Sequence, residues 1–267
     1  MPEGTVKQGI GASVRRKEDK RFLIGKGNYT DDINRAGQLH VYFLRSPVAF
    51  ADIVSIDKQK AEKASGVVAI LTGEDVAADN LGGPICGWVP SNKDGSAPSE
   101  PPHPILANGR VRYVGDHVAA VFAETLEQAM SAAELIDVTY SEMPAITDLK
   151  TAMDKPQIHD GMENNTYFDW ELGDEAATND AFDKAATIVK VDIRNNRVIP
   201  NAMEPRAAVA DYDTGDERYT LFTTSQNPQL TRLVIGAFML NIPESKLRVV
   251  APDVGGGFGS KIYVYPE

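Results

Sequence analysis

Four glycines in five positions, Gly255, Gly256, Gly257 and Gly259 around Phe258, followed by Ser260 and Lys261, form the stretch of this chain best suited to chemistry. Backbone without side chains reaches conformations closed to other residues and brings its N–H groups against a ligand. Successive N–H groups of that kind make a cradle for an anion. The spacing fits neither common phosphate motif. A dinucleotide fingerprint requires glycine where Ser260 stands, and a P-loop requires Gly-Lys-Ser/Thr where the chain reads Gly259-Ser260-Lys261. A glycine-rich turn over a core phenylalanine has the same pattern, so the motif alone leaves both readings open.

Other polar groups offer less. Gln226, in Ser225-Gln226-Asn227-Pro228-Gln229, carries a neutral carboxamide that both donates and accepts, although such a run ordinarily finishes a helix N-terminus. Glu204 and Arg206 flank Pro205 and are read as structural, through an ion pair or a backbone clamp. His40, His103, His117 and His159 are scattered with no metal-ligand spacing, and no metal ligand is assigned. His117 lies in an apolar run and is read as packed. Cys86 falls in a loop.

The elements that must position these residues are mixed. Leu39–Arg45, Ile53–Ile56 and Gly66–Leu71 read as strands, with a short helix over Lys58–Ala64. His117–Ala123 reads as a buried strand. Thr125 and Gln128 form a capping box for a helix reaching about Glu134, and Ile136–Tyr140 completes a strand-helix-strand unit. Leu81–Pro104, rich in Gly, Pro, Ser and Asn, is a long surface loop.

A second break over Thr147–Gly173 separates two domains. Beyond it, Thr187–Arg194 alternates apolar and charged residues as a strand with one solvated face, and Ala207–Tyr212 and Arg218–Thr224 follow. Asn227 caps a helix with Pro228 in its first turn, and Leu230, Leu233, Val234, Ala237 and Phe238 recur at helical spacing until Pro243. Leu247–Val250 is a strand feeding the glycine loop. Gln226 and Phe258 therefore both follow strand C-termini, where open α/β sheets bind ligands.

The 267 residues and net charge of −11 argue against a protein that wraps nucleic acid or lies on an anionic membrane. One cysteine excludes an internal disulfide and an iron–sulfur cluster held by this chain alone. No apolar run reaches the ~20 residues of a membrane span and no secretory signal is present, so a cytoplasmic protein is expected.

Taken with Met203-Glu204-Pro205-Arg206, Arg112-Tyr113-Val114-Gly115-Asp116 and Gly25–Ile33, the run from Val249 to Lys261 resembles the large subunit of the molybdenum hydroxylase family. That family includes xanthine dehydrogenase, aldehyde oxidase and aerobic carbon monoxide dehydrogenase. Lys261–Glu267 most resembles the carbon monoxide dehydrogenase branch. Xanthine dehydrogenases carry a substrate-contacting glutamate where Ile262 stands, which argues against a purine substrate.

The resemblance implies an α+β (mixed α/β) chain: an N-terminal arm over 1–20, an a/b hammerhead-type domain over 21–150, a linker over 151–172, and the first part of a molybdopterin-binding domain over 173–267. It implies cofactor contacts from Gln226, Gly256, Gly257, Phe258 and Gly259, with Gln226 donating to an oxo ligand and Phe258 near the substrate channel. The cofactor expected is molybdopterin, in the cytosine dinucleotide form. FAD and [2Fe-2S] centres would sit on medium and small partner subunits. The reaction implied oxidises carbon monoxide, or hydroxylates an aldehyde or heterocycle with water-derived oxygen. The family base lies beyond Glu267, so no catalytic residue is assigned and the chain alone is expected to be inactive. Cys86 does not match the copper-holding cysteine of carbon monoxide dehydrogenases. Two other readings stay open: a non-catalytic subunit-docking module, which metal analysis would separate, and a nicotinamide-dependent dehydrogenase, against which the glycine spacing argues.

Overall fold

The strand richest in small apolar residues is the centre of the first sheet. In the computed structural model, which describes residues 9–162 and 164–267, β5 (His117–Ala123) is buried along nearly its whole length. It pairs antiparallel with β1 (His40–Arg45) on one side and β3 (Val67–Thr72) on the other. Helix α3 (Leu126–Ala133) turns Ala129, Ala132 and Ala133 onto this sheet. Alanines on that face let the helix approach closely enough to exclude water from Val121 and Ile70. The expected capping box forms: Gln128 N–H donates to Thr125 Oγ1 (3.2 Å) and Thr125 N–H to Gln128 Oε1 (3.0 Å).

The strand after α3 does not return to this sheet. β6 (Asp137–Glu142) pairs with β2 (Ala51–Asp57), whose opposite edge takes β4 (Arg110–Val111), giving a second antiparallel sheet. The strand-helix-strand run is therefore a connection between two sheets. Between β2 and β3 the expected helix over Lys58–Ala64 is reduced to a 3-10 turn at Ala61–Lys63. A segment that short gains too few hydrogen bonds to offset helix nucleation. Helix α2 (Gly73–Ala78) follows β3, and Leu81–Pro104 then runs without helix or strand.

Helix α1 (Asp19–Leu23) spans the boundary expected between the arm and the first domain, and residues 1–8 of the expected arm lie outside the described residues. Helix α4 (Glu175–Asp183) is fully exposed. The expected strand over Thr187–Arg194 does not form: the segment has no regular structure, is exposed throughout, and pairs with no strand among the described residues. Alternation specifies a strand only when an edge is present to receive it.

The third sheet carries the region of interest. β7 (Ala208–Asp213) pairs antiparallel with β8 (Arg218–Thr223), and β8 pairs parallel with β9 (Leu247–Val250). The β8–β9 crossover holds α5 (Pro228–Leu233), capped by Asn227 Oδ1, which accepts from Leu230 N–H at 3.2 Å. The helix then widens into a π-helical turn at Val234–Met239 and stops at Asn241, whose φ is 54°, before Pro243. The wider turn breaks the expected apolar stripe, burying Val234 and Met239 while Phe238 stays exposed. Its end also receives the long loop of the first half, through Gly82 N–H to Met239 O (2.8 Å) and Asn241 Nδ2 to Asn80 O (3.0 Å).

Candidate functional site

Parallel pairing of Phe222 with Val250 brings the ends of β8 and β9 out at one edge of the sheet. The chain after β8 presents Gln226, and the chain after β9 presents the glycine loop. Ser225 Oγ accepts from Asn227 N–H (3.0 Å) and lies 3.0 Å from Thr231 Oγ1, which fixes the turn that projects Gln226.

Gln226 is bound to the loop from three directions. Its N–H donates to Lys261 O (2.9 Å), and its Oε1 accepts from Gly259 N–H (2.9 Å) and Lys261 N–H (3.3 Å). With Oε1 held by two donors, the carboxamide nitrogen is left as a neutral donor with no acceptor among the described residues. This approach requires a glycine: a Cβ at Gly257 would fall 2.4 Å from Gln226 Oε1. Gly256 and Gly259 have φ of +100° and +89°, values that L side chains rarely adopt.

The loop's N–H groups divide into two sets. Gly255 donates to Glu204 Oε2 (2.7 Å), Gly259 and Lys261 to Gln226, and Ser260 to Gly257 O (2.9 Å). Gly256, Gly257 and Phe258 have no acceptor among the described residues. Phe258, read as either a core or a channel residue, is 72% exposed with φ of 51°, its ring against Gly256. A bulky residue held at positive φ stores strain, a feature that clusters at functional sites.

Beneath the loop, Lys261 is 3% exposed, and its Nζ donates to Glu204 O (2.8 Å) and Oε2 (3.0 Å). Glu204 thereby ties Gly255 and Lys261 together from outside the loop, while its Oε1 is buried without a partner. A Cβ at Gly255 would fall 2.5 Å from Glu204 Cβ, so this contact too depends on glycine. Arg206 takes the structural part expected of it, with a partner other than Glu204. It pairs with Glu267 (Nε to Oε1, 3.0 Å) and lies 3.8 Å over the Tyr265 ring. Glu204, Arg206, Ser260 and Lys261 border a cleft of about 290 Å³ with Asn201 and Glu267.

Two residues that local pattern did not reveal hold the loop's entry. Asp253 forms a two-pronged ion pair with Arg21, accepts from Asn28 N–H at Oδ2 (2.8 Å), and donates its own N–H to Asn28 O (3.0 Å). The Arg21 hydrogen bond, aided by the Asn28 N–H, lowers the Asp253 carboxyl to about 2. An acidic residue just before the glycines was the available signal, but its partner is 232 positions away.

No histidine side chain hydrogen-bonds to this edge among the described residues. His117 is buried, its ring 4.8 Å from that of Phe43 and neither nitrogen partnered; burial foremost, then Arg45, lowers its pKa. His103 and His159 come within 6.3 Å, ring to ring, beside Cys86 in a separate cavity of about 340 Å³. No group of three or more His, Cys, Asp or Glu suited to a metal occurs among the described residues. No helix of the described residues is long and apolar enough to cross a membrane.

Comparison with known proteins matches both halves. Residues 24–144 fit the a/b hammerhead domain of aldehyde oxidase and xanthine dehydrogenase, and residues 158–267 fit the molybdopterin cofactor-binding domain. The carbon monoxide dehydrogenase large chain of Hydrogenophaga pseudoflava is 36% identical over 94% of this chain, and the nicotine 6-hydroxylase large subunit of Paenarthrobacter nicotinovorans is 32% identical over 97%. The structure of quinoline 2-oxidoreductase from Pseudomonas putida 86 superposes with a TM-score of 0.83 at 37% identity over 96% of the chain. In each comparison the chain spans about a third of the relative's own length, 31%, 31% and 32%. With both of its domain types present in order, the chain belongs to the aldehyde oxidase and xanthine dehydrogenase family.

Proposed function

We propose that this chain forms the hammerhead domain and the opening of the cofactor-binding domain of a molybdenum hydroxylase large subunit, divided near residues 151–172, and that Gln226, Gly256, Gly257, Phe258 and Gly259 contact the cofactor. The carrying observation is the Gln226 carboxamide, whose oxygen is held by Gly259 and Lys261 so that its nitrogen is left to donate elsewhere. The residues present fit the group. Three free N–H groups and one neutral donor suit an electron-rich oxo and dithiolene centre, and the buried, unpartnered Glu204 Oε1 suits an N–H of the pterin.

When bound, molybdopterin supplies the two-electron oxidation of substrate with oxygen from water. The chain's own part is to orient and to exclude. Gln226 donates a hydrogen bond without adding charge. The Lys261–Glu204 pair holds the loop, and Phe258 lies exposed beside Gly256, where a substrate would meet it. Ile262 puts an alkyl group in the same segment, which favours carbon monoxide, an aldehyde or an apolar heterocycle over a purine. The cytosine dinucleotide form of the cofactor, iron–sulfur and FAD partner subunits, and a cytoplasmic location belong to the same proposal, as does inactivity of the chain alone.

The test is molybdenum and pterin analysis of the assembled enzyme carrying Gln226→Ala. A several-fold loss of both relative to wild type is expected. Full occupancy in that variant and in a Gly256→Val/Gly259→Val variant would refute the contact assignment. An assembled complex without molybdenum or pterin would favour the docking-module reading.

A further inference from the structure

The segment that reaches the glycine loop from farthest away in sequence is Arg21–Tyr29. It is shaped before it arrives. Lys26 N–H donates to Arg21 O (2.8 Å), the Arg21 guanidinium lies 4.4 Å over the Phe22 ring, and the Phe22 and Tyr29 rings are 6.5 Å apart. A Cβ at Gly27 would fall 2.7 Å from the Tyr29 ring, so a side chain there would displace that ring. The segment then meets Asp253 in three ways: main chain to main chain through the Tyr29–Asp253 bridge and Asp253 N–H to Asn28 O, main chain to side chain through Asn28 N–H to Asp253 Oδ2, and side chain to side chain through Arg21. Asp253 is two residues from Gly255, and its side chain is 14% exposed.

We propose that Arg21 and Asp253 are positioning residues: together they form a latch from the N-terminal segment that holds the entry of the glycine loop, and so its three free N–H groups, in a ligand-ready arrangement. This inference rests on the reading of that loop as a cofactor contact. The physical ground is that glycines lose the most freedom on ordering, so a loop with four of them needs restraint from outside. Lys261 and Gln226 restrain its far end. At the near end, Glu204 holds the Gly255 N–H while Arg21 and Asn28 fix the strand that leads in. A planar guanidinium with two parallel contacts sets direction as well as distance, which a lysine cannot reproduce.

The experiment is amide hydrogen exchange, combined with molybdenum content, on the assembled enzyme carrying Arg21→Ala, Arg21→Lys, Asp253→Asn or Arg16→Ala. Arg16 pairs with Asp19 just ahead of this segment, so its variant controls for loss of charge. A latch predicts roughly three- to tenfold faster exchange at Gly255, Gly259 and Lys261 in Arg21→Ala, the scale of one charge-assisted bond discounted for partial exposure. Asp253→Asn should match it, the double variant should add nothing, Arg21→Lys should fall between, and Arg16→Ala should resemble wild type. Unchanged loop exchange in Arg21→Ala, with molybdenum still bound, would overturn the latch and leave the cofactor reading standing. Faster loop exchange with full molybdenum retention would keep the latch and count against the loop as a cofactor contact.

Discussion

Replacing Gly257 by alanine tests the site with one methyl group. Gly257 does not sit at positive φ, so its backbone tolerates alanine, and the whole effect must come from where the methyl goes. It would lie 2.4, 2.6 and 2.7 Å from Gln226 Oε1, Cδ and Cγ. No side-chain contact persists at such separations, so the carboxamide must rotate out. Rotation forfeits the bonds from Gly259 N–H (2.9 Å) and Lys261 N–H (3.3 Å), each contributing about 0.5–1.5 kcal/mol. The loss is about 1–3 kcal/mol, a fall of several °C in the thermal midpoint at about 2–4 °C per kcal/mol for a chain of this size. Molybdenum retention should fall as well, because the carboxamide donor is displaced. Calorimetry and metal analysis on Gly257→Ala, Gln226→Ala and the double variant form a closed cycle. If Gln226 is the sole obstruction, the double variant equals Gln226→Ala within about 0.5 kcal/mol. Fully additive losses, or a Gly257→Ala protein with normal stability and metal, would refute the reasoning.

Lys261→Met should cost about 3–5 kcal/mol in chemical denaturation, since it leaves the Glu204 carboxylate buried beside no cation; adding Glu204→Gln should recover part of that. Thr125→Ala removes the α3 cap and should cost about 1 kcal/mol, with Thr125→Ser restoring most of it. His117 titrates below the ordinary histidine value in the folded chain, so the unfolded chain takes up its proton first as pH falls. Stability should therefore decline as pH drops below about 6.5, and denaturation midpoints of His117→Phe should show a flatter dependence in that window.

Local signals were readable wherever the physics is local. The Thr125/Gln128 box, the Asn227 cap, the apolar run of β5 and the glycine loop each depend on residues within a few positions, and each appears where spacing places it. The juxtaposition of Gln226 with the loop was also accessible, since two parallel strands joined by a helix end at one edge. What sequence withheld depends on distant partners. Nothing near Asp253 points to Arg21, and nothing near Ile136–Tyr140 says that this strand joins β2 in a different sheet. Asn227 and Pro228 mark where the helix starts but not how it is wound, because a π-helical turn leaves the residue types unchanged while shifting which of them face inward. Thr187–Arg194 has the pattern of a strand, but pairing is a property of two segments, and only one is present among the described residues.

That segment has a practical consequence. From Ile188 to Ile199 the chain displays Val189, Val191 and Ile193 beside main-chain donors and acceptors that no neighbour occupies. Such a ribbon is a template for another copy of itself, and setting Lys190 opposite Asp192 in an antiparallel match would relieve the charges that otherwise keep copies apart. Solutions of this polypeptide alone should therefore turn cloudy with rising concentration, and sooner in salt.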